Sequence, residues 1–327
     1  MENFRAIEFH KERDFSNKLN ATFEFIKQNF LPLSKSILFI AGPPVLIGSA
    51  MLGNFFGSMF TLGLGAGSNP ALAENFFTSA NFWLQLGLMF LFLLISGIVS
   101  ISAINNYILL YGEKKSNKIE VAEVWERVKE TFWMYFGTMI FFTLLIIAAY
   151  VLMILPVIVL GAISPFLIFF GFIAIVGGFF YLLISSSLTF FVRAYEKNGF
   201  FEAITRSFKL VQGKWWSTFG LLFILYLIVS TVSYIFILPW YITTVVGAMH
   251  TIETGSFEEP TMQSQIFATL SFMLYYLAQT ILYTLPNVGI AFQYFNLVEL
   301  KEAKGLMQKI DTLGKPDAGH QRPEEHF

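Results

Sequence analysis

Residues 199–228, GFFEAITRSFKLVQGKWWSTFGLLFILYLI, decide the fold of this chain. Ile204, Phe208, Val211 and Trp215 recur at spacings of 4, 3 and 4, which gathers them on one helical face. Arg206, Lys209 and Lys214 point elsewhere around the same helix. A Trp pair follows, and then a run without a charge. The stretch reads as a short amphipathic helix lying on a membrane, followed by a helix that enters the bilayer.

The unit occurs twice more. A step back of 83 residues reaches Val121, Trp125, Val128 and Phe132, and a step of 185 reaches Leu19, Phe23, Ile26 and Phe30. Asp14, Ser116 and Gly199, one before each helix, are residue types suited to an N-cap. A wholly apolar run follows each stripe. These agreements predict three pseudo-repeats, about 14–111, 116–192 and 199–296, each a surface helix plus a hairpin of two spans. The expected fold is an all-α integral membrane protein with six transmembrane helices and three cytoplasmic amphipathic surface helices. Residues 1–298 form its single membrane domain, after a polar start at 1–13. Residues 299–327 form a polar cytoplasmic tail whose last dozen residues are expected to be disordered.

The run AITRSFKLVQGKWWSTFG, Ala203 to Gly220, resembles a signature of bacterial multi-span membrane proteins. It is similar to the membrane domain attached to some bacterial glycerophosphodiester phosphodiesterases and to related stand-alone proteins of unknown function. The likeness is strongest over this run and diffuse elsewhere. The catalytic domain of those enzymes is expected to be missing, since residues 299–327 are too few for it. The resemblance therefore implies a fold and a bacterial cytoplasmic membrane, and it carries over no activity or catalytic residue.

Composition agrees with a membrane protein. Of the 327 residues, 55% are apolar and 18% aromatic, while 13% are charged, about half the share of a soluble domain. Net charge is −1, and no basic stripe with interleaved aromatics points to nucleic acid. Cysteine is absent, which excludes disulfides, thiolate metal sites and Cys nucleophiles. No cleavable signal peptide is expected, because MENFRAIEFHKERDF is charged and lacks an apolar core.

Six apolar runs, near 33–55, 82–111, 132–154, 166–192, 215–238 and 264–296, are each long enough to cross hydrocarbon. Pro43-Pro44 should kink the first; Pro156 and Pro165 should bracket a shallow turn; Pro239-Trp240-Tyr241 should end the fifth at the interface. All 21 Lys and Arg fall in four blocks: before or at span one, between spans two and three, between spans four and five, and after span six. The alternate loops carry Glu74, Glu253, Glu258 and Glu259. By the positive-inside rule both termini and all three surface helices face the cytoplasm.

Reactive chemistry is scarce. No ionisable residue falls well inside a predicted span, which argues against proton relays and ion-coupled carriers. H-E-x-x-H and G-x-S-x-G are absent. The expectation is a non-enzyme with no catalytic residue, cofactor or metal. His250 with Glu253, Glu258 and Glu259 reads better as a solvated acidic loop than as a metal site, and Gly63 to Gly67 as a flexible connection. The most informative polar set is Tyr276, Gln279, Thr280, Tyr283, Thr284 and Asn287 in span six, spaced to share one face beside Pro286. Two readings stay open for it: interhelical hydrogen bonds, or a polar groove for a lipid headgroup or small solute. Asn105, Asn106, Gln293 and Asn296 should lie together only if spans two and six are neighbours. Ser185, Ser186, Ser187 and Thr189 read as packing contacts, and Trp125, Trp133, Trp215, Trp216 and Trp240 as interfacial anchors. Membrane lipids are the expected partners, together with other membrane proteins if the chain is a subunit. The function expected is lipid organisation or membership of a membrane complex; the alternative is a transporter or channel for a neutral or amphiphilic molecule.

Overall fold

Long apolar runs leave the backbone no water to bond, so they satisfy it internally as helix. The computed structural model describes residues 5–65, 70–254 and 261–313. In chain order the helices are α1 (Phe15–Ile40), α2 (Gly42–Gly65), α3 (Pro70–Thr78), α4 (Ala80–Lys114), α5 (Val121–Ile163) and α6 (Pro165–Ser186). They continue with α7 (Thr189–Glu196), α8 (Phe200–Val211), α9 (Trp215–Thr254), α10 (Met262–Leu282), α11 (Thr284–Glu302) and α12 (Lys304–Leu313). The described residues hold no strand. Five helical stretches are long and apolar enough to cross a membrane, and a sixth arises if α1 and α2, bent by 63° at their junction, act as one. The protein is thus an all-α, membrane-spanning molecule.

The helix boundaries correct the sequence reading in instructive places. Only the third surface helix stands apart from its span: α8 ends at Val211, and Gly213, at φ 79°, turns the chain into α9. No breaker separates Lys129 from Phe136, so α5 runs unbroken for 43 residues. The first helix continues through Pro32 and breaks at Ala41. Pro43 and Pro44 then fall in the first turn of α2, where a missing N–H leaves no bond unmade. Asp14 caps α1, its carboxylate accepting from the amide of Asn17 at 2.7 Å. Ser116 caps nothing: the N-cap of α5 is Glu120, whose amide donates to Glu123 at 3.0 Å. Beyond Pro239, α9 continues to Thr254 rather than ending at the interface. The last span divides at Tyr283, and Pro286 lies in the first turn of α11.

Burial is concentrated at one end of the molecule. The main apolar cluster joins Phe25, Leu33 and Ile37 of α1, Tyr107 and Tyr111 of α4, Val124 and Val128 of α5, Phe191 of α7, Leu210 of α8, and Phe292 and Phe295 of α11. Contacts also join the basic blocks there. Lys114 pairs with Glu123, Arg127 with Glu113, and Arg206 with Glu196 and Glu302, while Lys301 donates to the carbonyls of Lys209 and Gln212. We call this the basic end. Thr22, Val124 and Ser207, one register position in the three aligned units, are each fully buried in it. The α5–α6 hairpin, by contrast, has almost no buried residue along its most apolar length.

Residues 5–13, within the segment read as polar, strap this core. The Phe9 ring stacks on Phe295 at 4.8 Å and meets the edge of Phe292 at 5.7 Å. The amide of Ile7 donates to Tyr111 Oη at 3.0 Å, and that of Arg13 to Asn296 Oδ1 at 2.7 Å. His10 Nε2 lies 3.0 Å from Tyr195 Oη. Burial holds the His10 pKa below its usual 6.5; Lys304 adds to that pull, and Glu299 and Glu8 oppose it. The folded strap therefore favours the neutral imidazole. Its stabilisation is complete above pH 6.5 and falls as acid protonates the unfolded ring first. Amide protection factors of residues 5–13 should drop between pH 7.5 and 5.5, and His10→Gln should flatten that dependence. A tighter constraint sits on α11, where a Cβ on Gly289 would strike the side chain of buried Leu225. Gly289→Ala should cost about 1–3 kcal/mol by overpacking, read as a lower Tm.

Candidate functional site

A cavity of about 320 Å³ opens between α2, α9 and α10. Helical periodicity builds it. Ser230, Ser233, Ile237 and Trp240 lie on one face of α9, and Phe272, Tyr275 and Gln279 on one face of α10, with Phe56 reaching in from α2. Its apolar floor is aromatic: Trp240 meets Phe272 edge-on at 4.9 Å, and Phe56 stacks on Phe272 at 5.8 Å. Its polar wall is uncharged. Gln279 Nε2 donates to Tyr283 Oη at 3.2 Å, and Tyr275 bonds to Gln279. The Ser233 hydroxyl is buried with no hydrogen-bond partner. Such a group carries a desolvation cost of roughly 1–3 kcal/mol until something bonds to it. Tyr234 and Tyr241 form the rim and are exposed. On the side of the basic end, Leu221, Leu225, Val229 and Leu285 pack into a closed cluster.

Of the six stripe residues read from the sequence, only Gln279 lines this cavity. Tyr276 stacks on Phe272 at 6.3 Å and packs against the core. The Thr280 hydroxyl donates within α10 to the carbonyl of Tyr276, and that of Thr284 reaches back from α11 to the carbonyl of Ile281, each at 2.7 Å. The Asn287 amide donates to the carbonyl of Tyr283 at 2.7 Å. The cavity takes the face of α10 that carries Phe272, Tyr275 and Gln279, so Tyr276 and Thr280, each one position further round the helix, fall outside it. Ser230, Ser233, Tyr234 and Tyr275 were not singled out by sequence. The spacing of Ser230, Ser233 and Ile237 was the available signal, masked by the apolar residues around them.

The deep polar residues of spans two and six are used at the basic end. Asn106 donates to Ser102 Oγ and Thr131 Oγ1 at 3.1 and 2.8 Å, and Asn29 accepts from Tyr107 Oη at 3.0 Å. Lys18, one of the basic residues before span one, is 2% exposed and donates to Ser217 Oγ and Gln293 Oε1, each at 2.8 Å. Trp125, Trp133 and Trp216 are exposed, Trp215 stacks on Phe219 at 5.4 Å, and Trp240 lines the cavity. Among the described residues no group of three or more His, Asp or Glu is placed to hold a metal. Glu258 and Glu259 of the acidic loop, and the tail from 314, lie outside the described residues.

A family model described as a domain of unknown function (DUF8558) matches residues 71–286, from α3 into the first turn of α11. No match was found among curated proteins or among solved structures. The orphan hydroxyl gives the site a direct test. Ser233→Ala should raise the Tm of delipidated protein by a few degrees, because it removes a desolvated hydroxyl at little cost in volume.

Proposed function

The chain belongs to the DUF8558 family, a domain of unknown function, and we propose that it is a non-enzymatic, six-span membrane protein that holds a membrane amphiphile in the α2–α9–α10 cavity. One observation carries this reading: the unpartnered Ser233 hydroxyl shares an aromatic-floored cavity with Gln279 and Tyr275, rimmed by the exposed Tyr234 and Tyr241. A lipid headgroup entering from the bilayer would meet uncharged donors and acceptors, and its chain would lie along Trp240, Phe272 and Phe56. The cavity volume falls at the lower end of the roughly 300–1,000 Å³ of small-molecule sites. Its lining carries no charge, which favours an uncharged head bearing hydroxyl, ester or amide groups.

Transport of a neutral amphiphile is the second reading. The packed Leu221, Leu225, Val229 and Leu285 cluster disfavours it, because it separates the cavity from the basic end. The convergence of the basic blocks supports cytoplasmic termini, and the resemblance supports the cytoplasmic membrane of a bacterium. The common burial of Thr22, Val124 and Ser207 supports descent of the three units from one repeat.

The full chain is extracted directly into nanodiscs and its retained lipids are measured by mass spectrometry. One uncharged lipid class should be enriched with the wild type. Gln279→Leu and Ser233→Ala should reduce that enrichment several-fold at unchanged protein level. Equal lipid profiles in all three proteins would overturn the reading. Loss of uptake or efflux of a neutral solute in Gln279→Leu cells would favour transport.

A further inference from the structure

We propose that Arg193 is the anchor of a second, separate site, which takes the phosphate of an anionic phospholipid at the basic end. The inference rests on the membrane reading of the chain and not on the cavity.

Arg193 lies on α7, half-buried against α5. Its Nη1 donates to Thr138 Oγ1 at 2.6 Å. That hydroxyl donates in turn to the carbonyl of Met134 at 2.6 Å, so its proton is committed and its oxygen faces the guanidinium as an acceptor. Arg193 Nε is shielded from solvent and has no partner. Among the described residues no carboxylate pairs with it, whereas Arg127 and Arg206 both have acidic partners. A guanidinium carries five N–H donors in a fixed fork, and here the hydroxyl of Thr138 takes one. A half-buried cation with part of its fork unmatched and no acidic partner is costly to hold alone, and a phosphate is the anion whose oxygens match the fork in pairs.

The surroundings grade from charge to hydrocarbon as a lipid does. One turn deeper on α5 and one turn earlier on α7, Phe142 and Phe190 meet at 5.5 Å. Phe141 stacks on Phe200 of α8 at 5.5 Å and lies 6.2 Å from Phe201. Beyond these rings the α5–α6 hairpin presents Leu144 and Ile147, both more than half exposed. A headgroup phosphate on Arg193, glycerol esters against the ring layer and acyl chains along the hairpin would follow this order. The arrangement also gives the otherwise uncovered flank of the hairpin a lipid of defined orientation. Anionic lipid belongs to the leaflet that attracts basic segments, which is the side where the charge pattern puts this end.

The test uses the full chain in nanodiscs of phosphatidylcholine alone or mixed with phosphatidylglycerol. Native mass spectrometry counts retained phosphatidylglycerol, and thermal melting measures stabilisation. The wild type should retain the anionic lipid and melt higher in the mixed discs. Arg193→Gln should lower retention by about tenfold, the scale of one charge-assisted paired contact, and cancel the stabilisation. Arg193→Lys should be intermediate. Thr138→Val, which keeps the cation but frees it from its anchor, should also weaken retention. Equal melting of Arg193→Gln and wild type in phosphatidylcholine discs would establish that folding is intact. Undiminished retention by Arg193→Gln would overturn the proposal. So would an equal loss in Lys27→Gln, which removes one exposed charge and would mean diffuse attraction. If inorganic phosphate in phosphatidylcholine discs reproduces the stabilisation, the assignment to a lipid is overturned in favour of a soluble phosphate.

Discussion

Gln293 bridges a buried cation to a third helix, and much of the basic end depends on that bridge. Its carbonyl oxygen accepts from Lys18 on α1, and its amide donates to Thr218 on α9 at 2.8 Å. Ser217 takes a second proton of the ammonium. A buried ammonium is tolerated only when its donors are met, so the positions of α1, α9 and α11 are mutually fixed. Around this bridge α11 is buried on every side, with Phe292, Tyr294, Phe295, Asn296 and Leu297 all 2% exposed or less. The strap, the ion pairs and the third surface helix all add to the same centre.

That centre divides the molecule physically. At the basic end, side chains interlock and polar groups are matched, as in the interior of a soluble domain. Along the hairpin and the outer part of α9, helices meet fewer neighbours and show large apolar surfaces. A bilayer removes the hydrophobic penalty for such exposure, so packing is needed only where it fixes geometry. The neutral cavity and Arg193 both lie at the margins between the two regimes, where a lipid can approach and a fixed polar group can meet it.

The fold was legible because its signals are collective. A run of apolar residues, such as that from Phe136 to Leu155, needs helix whatever its neighbours do, and the alternation of basic blocks arranges the ends. Single residues were less legible. Lys18 reads as a solvated charge because Lys usually is one, and nothing near it announces Ser217 or Gln293, about 200 and 275 positions away. The polar stripe of span six was drawn as one face, but the cavity takes the face that carries Phe272 and Tyr275, which leaves Gln279 as the stripe's lining residue. Phe9, in a segment that reads as polar, became a core residue because three rings of distant helices left room for one more.

By itself, the sequence determined that this chain is helical, that it lives in a membrane, and which segments share a side. Those properties follow from local hydrophobicity, helical period and summed charge. Only the tertiary structure decided which polar groups are paired and which are left over. The Ser233 hydroxyl and Arg193 Nε are unpartnered because of what the neighbouring helices do not supply, and pairing is a property of relative position rather than of residue type. The candidate sites therefore emerged from packing, since packing alone distinguishes a satisfied polar side chain from a vacant one.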